Sequence, residues 1–557
     1  MEPLEVLITG GAIVDGTGSP ARPGTLGITR PDARGTRRLV LASPGPPDAE
    51  ASDAGAPDAE ARDADGRTAD RMIDATGKVV APGFIDLHSH SGLLILAEPR
   101  HEPKIRQGVT TEIVGIDGLS YAPFRSPDDL ADFTEMNAGL DGDPRPGVRL
   151  DWDSVASYLD RFDAGLGLNV GMLVGNSALR LAAVGWRDRP ADPKAVGEMR
   201  AMLREGMAEG AFGISTGLDY PPGAYATTEE LASLANEAAA HGGFYHSHVR
   251  YPLGDRFLDP FREAIDIGRR GQAPSHITHF YHRATFPGTP EQMLQLIDDA
   301  RAEGLDVTFD SYPYEWASTR LLITVPLWVQ EGGPGPTKQR LADRAIRAAI
   351  RGELRERGVL YAGAGGIADI RLGAFTAPGN LRWEGLTLGA VGAELGQDLV
   401  DVLCDLLLQE DLRVNQVTPG PHTDGIRRFY RHPVAMVGTD STFVGAKPSP
   451  RTYGSYPRIL GQFVRDEGLL SLEAAIAKMT SMPADRLGLA DRGRLADGLV
   501  ADVVVFDPAR VRSNATYDEP RRFPDGIDHV LVNGVAVVAD GEATGALPGR
   551  SVRHGRA

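Results

Sequence analysis

From residue 82 to about 483, short apolar runs alternate with longer Ala/Leu/Glu/Arg-rich stretches whose apolar positions recur at helical spacing. The runs at 110–115, 168–174, 212–215, 243–246, 307–311 and 434–439 have the length of buried strands. The stretches 194–209, 228–241 and 292–303 read as helices. Repeated strand–helix alternation predicts a parallel sheet. About eight such units predict an α/β fold closed into a (β/α)8 barrel, with active-site residues where strands end and loops begin.

Both ends of the chain have a different texture. Residues 4–13 alternate and stop at turn residues, and 72–80 reads as another strand. After Pro483 the strands 502–506, 530–533 and 535–540 are separated by Gly-rich turns. The ends therefore predict one small β-sandwich assembled from residues 1–81 and 484–557, with the barrel of residues 82–483 inserted between them. Within 31–71 the chain is rich in Ala, Asp, Pro, Gly and Arg without apolar periodicity, so 44–68 is read as a mobile insertion. The rhythm breaks again at 330–380, which is read as a lid or cap insertion.

Composition narrows the function. A chain of 557 residues with 42% apolar residues is too long for one simple core. The excess of 76 acidic over 58 basic residues gives a formal charge of −18, which argues against a nucleic-acid surface. No run approaches the ~18 apolar residues of a membrane helix, and the amino terminus lacks a basic segment followed by an apolar one. Cys404 is the only cysteine, so there is no intramolecular disulfide and no thiolate cluster; a bound metal has to rest on imidazole and carboxylate. These features predict a soluble cytoplasmic protein; separately, a monomer or homodimer with a small-molecule substrate is expected.

Candidate chemistry begins in Ala81-Pro-Gly-Phe-Ile-Asp-Leu-His-Ser-His90, where alternation puts His88 and His90 on one face of a strand end. Further candidates each close an apolar run: Asp117, His248, His279 and Asp440. His246 shares a face with His248, so either is placed to bind. Four imidazoles and two carboxylates suit one or two Zn²⁺ or other divalent ions, which lower the pKa of a bound water to about 7. Asp440 then serves as general base. Glu112, in mid-strand, is read as a barrel-interior residue.

With these residues in view, the chain resembles the amidohydrolase superfamily, and within it the N-acyl-D-amino-acid deacylases (D-aminoacylases). The likeness runs through residues 73–90, Gly213-Ile-Ser-Thr-Gly-Leu-Asp-Tyr-Pro-Pro-Gly223, Asp310-Ser-Tyr-Pro-Tyr314, Pro450-Arg-Thr-Tyr-Gly454, Lys478-Met-Thr-Ser-Met-Pro-Ala484 and the tail 491–507. It implies that His248 and His279 hold a tight zinc and that His88 and His90 serve a weaker position, with Asp440 as catalytic base. It further implies that Tyr312 polarises the scissile carbonyl and that Ser318 and Arg451 hold the substrate carboxylate. Four positions depart from the family pattern. Asp117 stands where cysteine is usual, Tyr281 where a substrate-binding lysine is usual, and Asn176 and Ser449 where histidines are usual. The expected reaction is hydrolysis of an N-acyl-D-amino acid. A cyclic amide, lactone or dipeptide hydrolase is the alternative, and a non-catalytic scaffold ranks last because its ligand set would be broken.

Overall fold

Eight parallel strands close into a barrel in the computed structural model, which describes residues 4–33, 35–42, 68–145, 147–283, 285–358, 362, 365–420 and 424–555. They are β1 (Phe84–Asp86), β2 (Val109–Val114), β3 (Asn169–Met172, continued by Val174–Gly175), β4 (Gly213–Gly217), β5 (Phe244–His248), β6 (Ser275–Ile277), β7 (Val307–Ser311) and β8 (Ala435–Val437). Each pairs in parallel with the next. The barrel closes where the chain after β8 meets the chain after β1, through Asp440 N to His88 O at 2.9 Å and His90 N to Ser441 O at 3.1 Å. The expected (β/α)8 barrel is therefore present. Helices Pro193–Glu209 and Thr228–Ala240 start where Asp192 and Thr227 accept the N–H groups of Ala195 and Glu230, satisfying helix-end donors that have no partner within the helix.

A buried ion pair pins the closing seam. Lys104, fully buried, donates to Asp86 and to Thr439 Oγ1, while Asp86 Oδ1 accepts the backbone N–H of His88 at 3.1 Å and of Thr439 at 3.0 Å. Removing the cation leaves a buried carboxylate without its counter-charge. Lys104→Met is therefore expected to cost about 3–5 kcal/mol of stability. Denaturant unfolding reads this directly, and an unshifted midpoint would mean that the seam is held by the backbone alone.

The two ends of the chain meet. Val503–Phe506 pairs antiparallel with Val79–Pro82, and around this junction the described residues form one nine-stranded sheet. The sheet curls onto itself: Leu39, in the edge strand Leu39–Ala42, bonds through its N–H to Leu499 O at 2.8 Å, just ahead of Val503–Phe506. Alternation along Val503–Phe506 gives both faces work. Val503 and Val505 pack with Ile8, Leu26 and Ile73 inside the curl, while Val504 and Phe506 face the barrel. Of the expected 44–68 insertion, residues 44–67 lie outside the described residues.

The interruption expected at 330–380 belongs to a longer excursion, residues 312–434, between β7 and β8. It contains a three-stranded antiparallel sheet, with Ala317–Arg320 and Arg371–Gly373 flanking Asn415–Thr418, and helices Pro334–Ala342, Arg344–Arg357, Leu388–Leu395 and Leu399–Gln409. Among the described residues no helix is long and apolar enough to cross a membrane.

Candidate active site

All six predicted metal residues stand at the carboxyl ends of barrel strands. His88 and His90 follow β1, Asp117 follows β2, His248 ends β5, His279 follows β6 and Asp440 follows β8. Three of them, Asp117, His279 and Asp440, have φ of 53°, 32° and 47°, a left-handed conformation that costs a non-glycine residue of order 1–3 kcal/mol. Strand direction alone does not aim these side chains; the strained turns do. The turn at Asp117 packs down on β4, where a Cβ on Gly217 would lie 1.8 Å from Asp117 O, so only glycine fits there.

The turns converge on one oxygen. Asp117 Oδ2 lies 3.4 Å from His88 Nε2, 3.7 Å from His90 Nε2, 3.4 Å from His248 Nδ1 and 3.6 Å from His279 Nε2. Asp440 Oδ1 faces the first pair from the other side, 3.6 Å from His88 Nε2 and 3.3 Å from His90 Nε2. Donors on a tetrahedral ion bound at 2.0–2.1 Å stand about 3.3 Å apart. Both donor sets, His88/His90/Asp117/Asp440 and Asp117/His248/His279, have edges close to that length, and both use Asp117. An all nitrogen-and-oxygen donor set of this kind suits Zn²⁺ and related divalent ions.

Charge in the cluster supports the same reading. Burial works against the charged form of His88 and His248, yet the surrounding carboxylates outweigh it and hold them at about 10 and about 9. Burial also opposes ionisation of Asp117, but His88, His248 and His279 keep it well below the usual carboxylate range. For Asp440, burial is outweighed by Arg451 and the histidines. The cluster thus gathers positive charge around its carboxylates, as protons or as metal. Since a metal must displace protons held up to about pH 9–10, apparent metal affinity is expected to rise with pH from 7 to 9. Chelator competition across that range measures it, and a flat profile would remove these ring nitrogens from the ligand set.

Of the remaining predicted residues, Tyr312, Ser318 and Arg451 connect to Asp440 and Tyr281 packs beside His279. Tyr312, buried directly after β7, lies under the Arg451 guanidinium, 4.5 Å from ring to cation. Arg451 Nη1 is 2.8 Å from Asp440 Oδ2, and its Nη2 donates to Ser318 O at 2.9 Å. Ser318 Oγ lies 3.2 Å from Thr442 Oγ1. Tyr281 stacks on Tyr251 and accepts a 2.8 Å hydrogen bond from the buried Arg283, so a guanidinium two residues on stands beside the departure from lysine. Asn176 braces the Asp117 turn: a Cβ on Gly118 would meet its Oδ1 at 2.4 Å. Ser449 is buried. Glu112 accepts from Ser91 and pairs with His101 inside the barrel, away from the ligand set.

The shared face of His246 and His248 separates along the strand. His248 reaches the Asp117 cluster, whereas His246 sits deeper, its ring 5.7 Å from that of His88 and stacked on His276 at 5.3 Å. Sequence reasoning missed the residues around the ligands. Asp310, Asp141, Asp219 and Tyr251 contact the outward ring nitrogens of His88, His90, His248 and His279. Asp219 and Asp310 lie inside segments already singled out for family likeness, whereas Asp141 ends a helix (Pro127–Asp141) with no motif around it.

Known proteins match this chain along nearly its whole length. The amidohydrolase family model matches residues 71–363 and 387–538. An N-acyl-D-glutamate deacylase from Alcaligenes xylosoxydans xylosoxydans is 36% identical, the alignment covering 99% of this chain and 97% of that protein. A D-aminoacylase from the same organism is 34% identical, with the same coverage. The crystal structure of N-acyl-D-glutamate deacylase from Bordetella bronchiseptica, complexed with zinc and a phosphonate mimic of the tetrahedral intermediate, superposes with a TM-score of 0.78 at 32% identity. That match covers 99% of this chain and 100% of that one.

Proposed function

The chain belongs to the amidohydrolase family, and from that premise we propose that it hydrolyses the amide bond of N-acyl-D-amino acids with one or two divalent ions, zinc foremost. One observation carries the reading: a single carboxylate oxygen, that of Asp117, faces four histidine ring nitrogens, with Asp440 opposite. His248, His279 and Asp117 would hold one ion, and His88, His90, Asp117 and Asp440 the other. Such an ion polarises a carbonyl and brings the pKa of its water to about 7.

The chain's own groups do the rest. Asp440 stays ionised beside Arg451, so it can take a proton from the attacking water and return it to the leaving nitrogen. Burial keeps the Tyr312 phenol protonated, which leaves its O–H as a donor for the carbonyl oxygen as negative charge develops there. Arg451 and Ser318 supply cation and hydroxyl for the substrate carboxylate, while Arg451 also faces Asp440 through Nη1 and donates to Ser318 O through Nη2. A cavity of about 590 Å³ beside Asp219 has an apolar wall of Ile323, Val325, Leu327, Trp328 and Leu354 and a charged one of Asp188, Arg256, Glu353 and Arg357, room and polarity for a side chain or acyl group.

The test is metal content per chain together with hydrolysis of a panel of N-acetyl-D- and N-acetyl-L-amino acids. Bound metal with D-selective release of the amino acid supports the proposal. Bound metal with no turnover of any N-acetyl-D-amino acid would reject the substrate class, and metal-free, inactive protein would reject the reading altogether.

A further inference from the structure

The four histidines around Asp117 are not oriented alike. His88, His90 and His279 turn Nε2 inward, whereas His248 turns Nδ1 inward. In each case the opposite nitrogen has its own partner outside the cluster. His90 Nδ1 lies 2.8 Å from Asp141 Oδ1, and His248 Nε2 lies 3.0 Å from Asp219 Oδ2. His88 Nδ1 is 3.2 Å from Asp310 Oδ2, and His279 Nδ1 is 3.3 Å from the Tyr251 hydroxyl. An ionised carboxylate only accepts, so with a metal bound the outer ring nitrogen that faces it carries the hydrogen and the inner one offers its lone pair to the ion.

Two of these partners serve one histidine each, and they serve histidines of different donor sets. Asp141 is fixed from behind by the Tyr121 hydroxyl, which donates to its Oδ2 at 2.7 Å, and it touches only His90 among the cluster. Among the described residues Asp219 bonds His248 and no other histidine of the cluster, and it also borders the cavity beside the site. Asp310, by contrast, contacts His88, His276 and the backbone N–H of His279, so its loss would disturb several elements at once.

We propose that Asp141 and Asp219 are positioning residues that set the ring orientation and tautomer of His90 and His248, and that each independently tunes one of two metal positions. The inference rests on the reading that these histidines hold metal, and it assigns a separate control to each position. Its consequence is that one ion can be weakened without the other.

The experiment is stepwise Zn²⁺ binding to the full chain by chelator competition, together with ¹⁵N NMR of the histidine rings in the Zn²⁺-loaded protein. The variants are Asp141→Ala, Asp219→Ala and their asparagine counterparts, with folding checked by thermal unfolding. The wild-type chain is expected to take two Zn²⁺. Each alanine variant should weaken a different step by about 10–100-fold and leave the other step unchanged. The outer N–H signal of His90 in one variant, and of His248 in the other, should move towards that of an imidazole N–H without a carboxylate partner. Asparagine keeps an acceptor oxygen, so it should retain most of the affinity and the tautomer; where an alanine variant fails to fold, this smaller loss confined to one step carries the test. Weakening of the same step by both substitutions, or of neither, overturns the proposal. A wild-type chain that binds no Zn²⁺ overturns the functional reading itself, an outcome distinct from the other two.

Discussion

Replacing Asp440 with asparagine is expected to lower kcat by about 10³-fold, within the 10²–10⁴ that a positioned acid–base group contributes, while most of the bound metal remains. The substitution is nearly isosteric and keeps an oxygen in place of Oδ1, which stands 3.3 Å from His90 Nε2 and 3.6 Å from His88 Nε2. What it removes is the ability to take up a proton. It also removes the charge opposite Arg451, whose Nη1 lies 2.8 Å from Oδ2. The freed guanidinium then has a stronger claim on a substrate carboxylate, so KM should fall or stay level while kcat falls. That split separates loss of the base from loss of substrate binding, which would raise KM. Steady-state kinetics with metal analysis on the same preparation reads both effects. A variant with unimpaired kcat would remove Asp440 from the mechanism.

How far the sequence reveals this site depends on the range of each interaction. His88 and His90 are legible because strand alternation is local, and His248 and Asp440 because each closes an apolar run. The barrel is legible for the same reason, as short apolar runs of strand length alternating with stretches at helical spacing. The excursion over 312–434 is not. Its strands Ala317–Arg320 and Asn415–Thr418 pair antiparallel across nearly a hundred residues, and no local periodicity announces such a partner. Ser318 lies on that sheet, so its place at the site follows from family likeness and not from pattern. Asp141 is the clearest omission. It is the last residue of a helix, where acidic residues are electrostatically disfavoured, and only the packing of that helix end against His90 gives it a role. Alternation alone does not choose between His246 and His248, which share a face; family likeness points to His248, and the structure shows that the two differ in depth along β5.

Asp117 carries the largest expected effect on metal binding. Its Oδ2 is the one donor common to both candidate sets, so Asp117→Ala should weaken both ions together, by about 10³-fold or more, a larger loss than the 10–100-fold expected for an outer hydrogen-bond partner. Activity should fall in parallel. The alanine also leaves four buried imidazoles without the carboxylate between them, and like charges at that range repel. His88 and His248 should therefore give up their protons at lower pH than in the wild-type chain, which histidine NMR of metal-free protein would register. Asp117→Cys makes the complementary case. A thiolate restores the shared ligand but is softer than a carboxylate, so the variant should retain Zn²⁺, lose affinity for Mn²⁺, and give a thiolate-to-cobalt charge-transfer band with Co²⁺. An Asp117→Ala chain that keeps two Zn²⁺ would refute the shared-oxygen arrangement and direct attention to the deeper group of His88, His246 and Asp310. That group lacks Asp117 and Asp440, so a metal held there would stand apart from the general base.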